Sequence, residues 1–201
     1  MNLMSQILAV VGQVMLVAVL VTLLVSMFLH ELKRLRIVVA VLLVIFMLVP
    51  VNGLSISQWL RSATGDLSVL MLVMLLNILA QRLFDFKLLS VPSRQILLWG
   101  ALLVGAVFYP FALGLGPIDP YHFGYAPVGM SILLTLVSLS CWLAGKRDLA
   151  MVMLLPLLAF NLHMLESTNL WDYLLDPILL MYALVQSCSR IGWQRFFKPG
   201  V

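Results

Sequence analysis

The sequence predicts an all-α protein, a polytopic integral membrane bundle of about seven transmembrane helices that forms a single domain over residues 1–201. Three observations carry that expectation. Hydrophobic residues make up 63% of the chain and charged residues only 10%, whereas about a quarter of a soluble domain is charged. Apolar runs of about 20 residues, each able to cross roughly 30 Å of hydrocarbon, recur from end to end. The basic residues collect in the connections between alternate runs.

The first run, residues 7–29, is too long for a signal h-region, has no Lys or Arg before it, and leads into HELKRLR without a small-residue cleavage site. It is predicted to be a retained span rather than a secretory signal. Further spans are predicted over 35–51, 67–84, 96–115, 128–144, 149–165 and 170–189. Pro110 and Pro156 fall inside two of them and predict kinks, which a bundle tolerates when neighbours satisfy the freed carbonyls. Two connections look structured. In the 52–66 loop, Ser55 and Gln58 form an S-x-x-Q capping box, and Ile56, Trp59, Leu60 and Ala63 recur with helical period, which predicts a short interfacial helix. In GLGPIDPYHFGYAP, Gly and Pro enforce turns while Tyr121, Phe123 and Tyr125 supply anchors at headgroup depth.

Orientation follows from charge. Lys33, Arg34, Arg36, Arg82, Lys87, Arg94, Lys146, Arg147, Arg190, Arg195 and Lys198 lie on one side, leaving Arg61 alone on the other. The bias places the N-terminus outside and the C-terminus in the cytoplasm. The compact connections and the lack of other targeting signals predict a multi-pass protein of the cell inner membrane, with the lipid bilayer as its first partner.

The densest polar stretch, NLHMLESTNLWDYLLDP at residues 161–177, then faces outward. It holds His163, Glu166, Asp172 and Asp176, which with His122 are the candidate catalytic residues. An imidazole and carboxylates at a membrane surface can do acid and base chemistry. They also have plain structural readings. Asn169 and Asp172 make an ordinary helix start. Asp176 before Pro177 is either an acid about two turns inside a kinked span, or the cap of a second helix with Pro177 in its first turn. A last helix starting only at Pro177 and ending near Ile191 would be about 22 Å long, too short for the bilayer, which favours a start near Leu170. Arg61 is a candidate for binding an anion, or for pairing with Asp66 or with an acid of this stretch.

Other classes are disfavoured. The basic clusters lack the aromatic interleaving of a nucleic-acid surface. Cys141 and Cys188 have no metal spacing, and His122 and His163 are too far apart in sequence to indicate a metal or haem site; no cofactor is expected. Seven spans invite comparison with rhodopsin-like receptors, yet there is no Lys in the seventh span, no D-R-Y and no N-P-x-x-Y; the G-x-S-G of rhomboid proteases is also missing. Gln13, Asn77 and Gln186 can hydrogen-bond between helices. The favoured expectation is a non-catalytic subunit or scaffold of an envelope-related complex, docking a membrane-protein partner. The alternatives are an enzyme with an outward acid and His site acting on a lipid-linked or envelope substrate, and a small transporter.

Overall fold

The computed structural model describes residues 3–28 and 33–196, with side chains described over 3–25, 35 and 37–188. Lys33, Arg34, Arg36, Arg190, Arg195 and Lys198, used above to orient the chain, therefore have side chains outside the described residues. The described chain is almost wholly helical. In order it forms α1 (Leu3–Phe28), α2 (Lys33–Met47), a two-stranded hairpin of β1 (Pro50–Val51) and β2 (Leu54–Ser55), α3 (Ile56–Thr64), α4 (Val69–Phe84) and α5 (Val91–Ala112). A 3-10 segment (Pro120–Tyr125) then precedes α6 (Pro127–Leu143), α7 (Arg147–Asn161), α8 (Trp171–Leu174) and α9 (Pro177–Phe196).

Among the described residues, two helices, α1 and α5, are long and apolar enough to cross a membrane. The apolar stretches of α2, α4 and α6 are shorter. Pro110 and Pro156 both lie inside their helices, α5 and α7. Helix α4 is central, packing on α1, α2, α7, α8 and α9, and its Met74 and Leu75 are fully buried. Helix α5 lies along α9, where Gly105 admits the Leu180 side chain into space that a Cβ would occupy. Helix α6 packs on α7.

Apolar side chains form both the core and much of the surface, and a few amides are buried among them. Leu103 is 72% exposed and Leu143 78%, while Gln13 is 0% and Asn77 1% exposed. The buried amides are satisfied, as buried polar groups must be. Gln13 of α1 donates to the Gly65 carbonyl (2.9 Å) and accepts from the Thr64 hydroxyl (3.2 Å). Asn77 accepts from the amides of Leu88 and Leu89, both at 3.0 Å, and so holds the α4–α5 connection against α4.

The capping box is formed in full: Ser55 Oγ accepts from the Gln58 amide and the Gln58 side chain accepts from the Ser55 amide. Helix α3 turns Ser57, rather than its apolar stripe, toward the protein; Ser57 is buried and Trp59 is half exposed. The hairpin before it was not anticipated. Asn52 and Gly53 both take positive φ (52° and 84°), which is the type I′ geometry that an Asn-Gly pair between short strands specifies.

The last predicted span needs correction. Residues 170–189 are not one helix: α8 ends at Leu174, Leu175 is extended (φ −129°, ψ 137°), and α9 begins at Pro177. The length argument against that start failed at the other end, because α9 continues to Phe196 and its 20 residues reach about 30 Å.

Candidate functional site

Hydrogen bonds between distant connections gather most of the candidate residues into a polar layer at the end of the bundle that carries α3, the 3-10 segment and α8. Its first group is an ion triad. Arg61, in the last turn of α3, meets Asp66 through Nε (2.6 Å) and through one terminal nitrogen (3.0 Å), and that nitrogen also meets Glu166 Oε1 at 3.0 Å. Both pairings proposed for Arg61 therefore occur together. The hydrogen bond to Asp66, against a smaller opposing effect of burial and with help from Glu166, raises the guanidinium above its usual range, so Arg61 stays charged. The triad lines a shallow open pocket of about 400 Å3 with Leu54, Gln58, Ser62 and Gly65.

The second group docks the 3-10 segment onto the α7–α8 connection. Asp172 accepts from the Tyr121 hydroxyl (2.9 Å) and from Ser167 Oγ. Burial, then the bond and charge of Asp172, pushes the Tyr121 phenol well above its ordinary range. Asn169 is fully buried; its Oδ1 caps the Trp171 amide and its Nδ2 donates to the Tyr121 carbonyl, both at 2.9 Å. The Trp171 indole donates to the Pro120 carbonyl at 2.9 Å and its ring lies 4.6 Å from that of Phe108. Gly124 is required here, because any Cβ would overlap Asn169 Oδ1.

Asp176 forms the third group, and the capping alternative describes it. Its Oδ1 accepts the Leu179 amide (2.7 Å) in the first turn of α9, and its Oδ2 accepts the Ser68 amide (2.8 Å) at the start of α4. Two helix N-termini, each carrying about half a positive charge, thus face one carboxylate that is only 6% exposed. That is how an acid is held here with no basic partner among the described residues. The same device recurs at the opposite end. Asp148, in the first turn of α7, accepts from the Ser90 amide (2.7 Å) and the Ser93 hydroxyl (2.6 Å) at the start of α5. Burial pushes the Asp148 carboxyl up, but the bonds from Ser93, Ser90 and Leu149 outweigh it and hold the group at about 2.

The histidines lie apart from these groups. His122 is exposed in the 3-10 segment. His163 is exposed with φ 52° and its Nδ1 lies 3.2 Å from the Asn161 carbonyl. Its backbone explains its position. The His163 amide donates to Phe160 O and the Met164 amide to Ala159 O, each at 3.0 Å, which is the Schellman ending of a helix with His163 at the left-handed position. Helices α5 and α6 end in the same way with Gly114 and Gly145 there. Among the described residues, no three His, Cys, Asp or Glu side chains are grouped to hold a metal ion.

Sequence reasoning missed Ser68, Tyr121 and Ser167. Ser68 carried a readable signal as a cap before an apolar run; its bond to an acid 108 residues away did not. Comparison of the chain with known protein families, with curated proteins and with solved structures finds no match.

Proposed function

We propose that this chain is a small multi-pass inner-membrane protein of about seven spans, with its N-terminus outside and its C-terminus in the cytoplasm. We further propose that it serves as a non-catalytic subunit or scaffold that docks another membrane protein of the cell envelope. One observation carries the non-catalytic part: each of the five acids at the outward end already holds a structural donor. Asp66 and Glu166 hold Arg61, Asp119 holds the Tyr121 amide, Asp172 holds Tyr121 and Ser167, and Asp176 holds two helix starts. Each carboxylate thereby helps to hold a connection or a helix start in place, which supports a structural role for these acids.

The membrane reading rests on α1 and α5, on the exposed leucines, and on the seven longest helices, whose order matches the seven apolar runs. Helices α2 and α7, with 15 residues each, and α4 and α6, with 16 and 17, lie at or below the lower limit of about 17 for a span. The docking reading rests on an apolar cleft of about 270 Å3 between α5 and α6, floored by α7 and α8, with Leu97, Val104, Met130, Leu134, Met153 and Trp171 among its walls. In lipid such a cleft offers a partner helix shape complementarity and close packing rather than a hydrophobic driving force.

The test is copurification from membranes followed by mass spectrometry, using the wild type and Gly100→Trp. Gly100 lines the cleft and has nothing within 4 Å of the position of a Cβ, so Trp fills the cleft without straining the helix. A membrane protein captured by the wild type and by the lipid-facing control Leu143→Trp, but lost with Gly100→Trp, is the expected result. Capture that is indifferent to Gly100→Trp refutes the docking site.

A further inference from the structure

The end of the bundle opposite Asp176 holds a cavity of about 690 Å3 between α1, α4, α5, α9 and the α4–α5 connection. Its charged lining is Arg82, Lys87 and Arg94 against Asp85, with Leu23 and Ile78 adding an apolar margin. Arg82 and Asp85 have other interactions and enter only as charges. Arg94 differs from them. It projects from the first turns of α5, and its Nε is shielded from solvent with no hydrogen-bond acceptor among the described residues. Buried N–H groups are seldom left so, and a charged one least of all.

The cytoplasmic bias in Lys and Arg accounts for basic residues near this end, but it does not require Arg82, Lys87 and Arg94 to converge on one cavity with only Asp85 against them. We propose that this cavity binds a phosphate-bearing anion, with Arg94 as its principal ligand and Lys87 as a second positive contact. The planar guanidinium matches phosphate oxygens, and Lys supplies a point charge. A polar cavity with an apolar margin, set between helices on the face that the charge bias makes cytoplasmic, has the form of a lipid headgroup site. The same cations would also accept a soluble phosphate compound. The proposal is independent of the docking cleft, which lies between α5 and α6.

The experiment measures the thermal stability of the purified full chain in neutral detergent while phosphatidylglycerol, phosphatidylcholine or inorganic pyrophosphate is titrated in. Phosphatidylglycerol should raise the midpoint saturably and phosphatidylcholine should not. The apparent affinity should fall about tenfold or more in Arg94→Gln and in Lys87→Gln, as loss of one charge-assisted contact implies. It should be unchanged in Lys146→Gln, a basic position outside the cavity. Protection by phosphatidylglycerol alone assigns the site to a lipid headgroup, and protection by pyrophosphate as well assigns it to phosphate in general. The proposal fails if neither anion protects the wild type, if phosphatidylcholine protects equally, or if Lys146→Gln loses as much as the cavity variants. Should Arg94→Gln not fold, Lys87→Gln, at an exposed position in the connection, decides the question alone.

Discussion

Replacing Asp176 by Asn leaves the side-chain shape almost unchanged but reverses the polarity of one of its two ends. The carboxylate accepts from Leu179 at 2.7 Å and from Ser68 at 2.8 Å. An amide can accept only one of these, and its NH2 must then confront the other N–H. One buried donor is left unsatisfied, at a cost of about 1–3 kcal/mol. Loss of the negative charge removes a favourable interaction with two helix N-termini, about 0.3–1 kcal/mol each and more where partly buried. Relief from burying a charge offsets part of this, leaving roughly 2–3 kcal/mol of destabilisation. At about 2–4 °C per kcal/mol for a chain of this size, the midpoint should fall by about 5–10 °C. The assay is thermal unfolding in detergent, with Asp66→Asn as the control. Asp66 pairs with Arg61 at a part-exposed site, where an ion pair contributes about 1 kcal/mol or less. Equal shifts in the two variants would refute the reasoning. So would an unchanged midpoint in Asp176→Asn.

Three further expectations follow from the same geometry. His163→Gly should raise stability by about 1 kcal/mol, because Gly takes the left-handed φ without the Cβ penalty; a fall in the unfolding midpoint would show that the His side chain does more than end α7. Gly124→Ala should cost about 1–3 kcal/mol by forcing the 3-10 segment off Asn169, seen as a lower midpoint and faster proteolysis between α5 and α6. Asp148 sits at about 2 against an ordinary 3.8, so the unfolded chain binds its proton first on acidification. Its stabilising contribution is complete above about pH 4 and is lost as the pH falls toward 2. Asp148→Asn should flatten that part of the stability profile, and an unchanged slope would count against the bonds from Ser90 and Ser93.

Local chemistry was legible wherever cause and effect lie within one turn of chain. Ser55 and Gln58 specify the start of α3, and the apolar runs locate the long helices, because capping and hydropathy are properties of neighbouring residues. The Asn52-Gly53 turn was equally readable and was passed over, since a two-residue strand has no periodicity to draw attention to it. Asp176-Pro177 admitted two readings, and only the third dimension chooses, since the deciding donor belongs to Ser68 at the start of α4. His163 drew attention as a chemical group among hydrocarbon, whereas its position is set by its backbone; comparison with Gly114 and Gly145, which end α5 and α6, reveals that role. The apolar stripe of α3 was read correctly as a stripe, but its outward direction depends on Gln13 and Thr64 filling the inward side.

The most direct test of whether the acids of the polar layer are structural and the cleft is the working surface sets two variants side by side in one copurification. The first is Gly100→Trp, which fills the cleft; the second combines His163→Gly with Glu166→Gln, removing the exposed imidazole and one member of the ion triad. The expected result is that the double variant captures the membrane partner at wild-type yield while Gly100→Trp loses it. Retention by Gly100→Trp together with loss in the double variant would contradict the account.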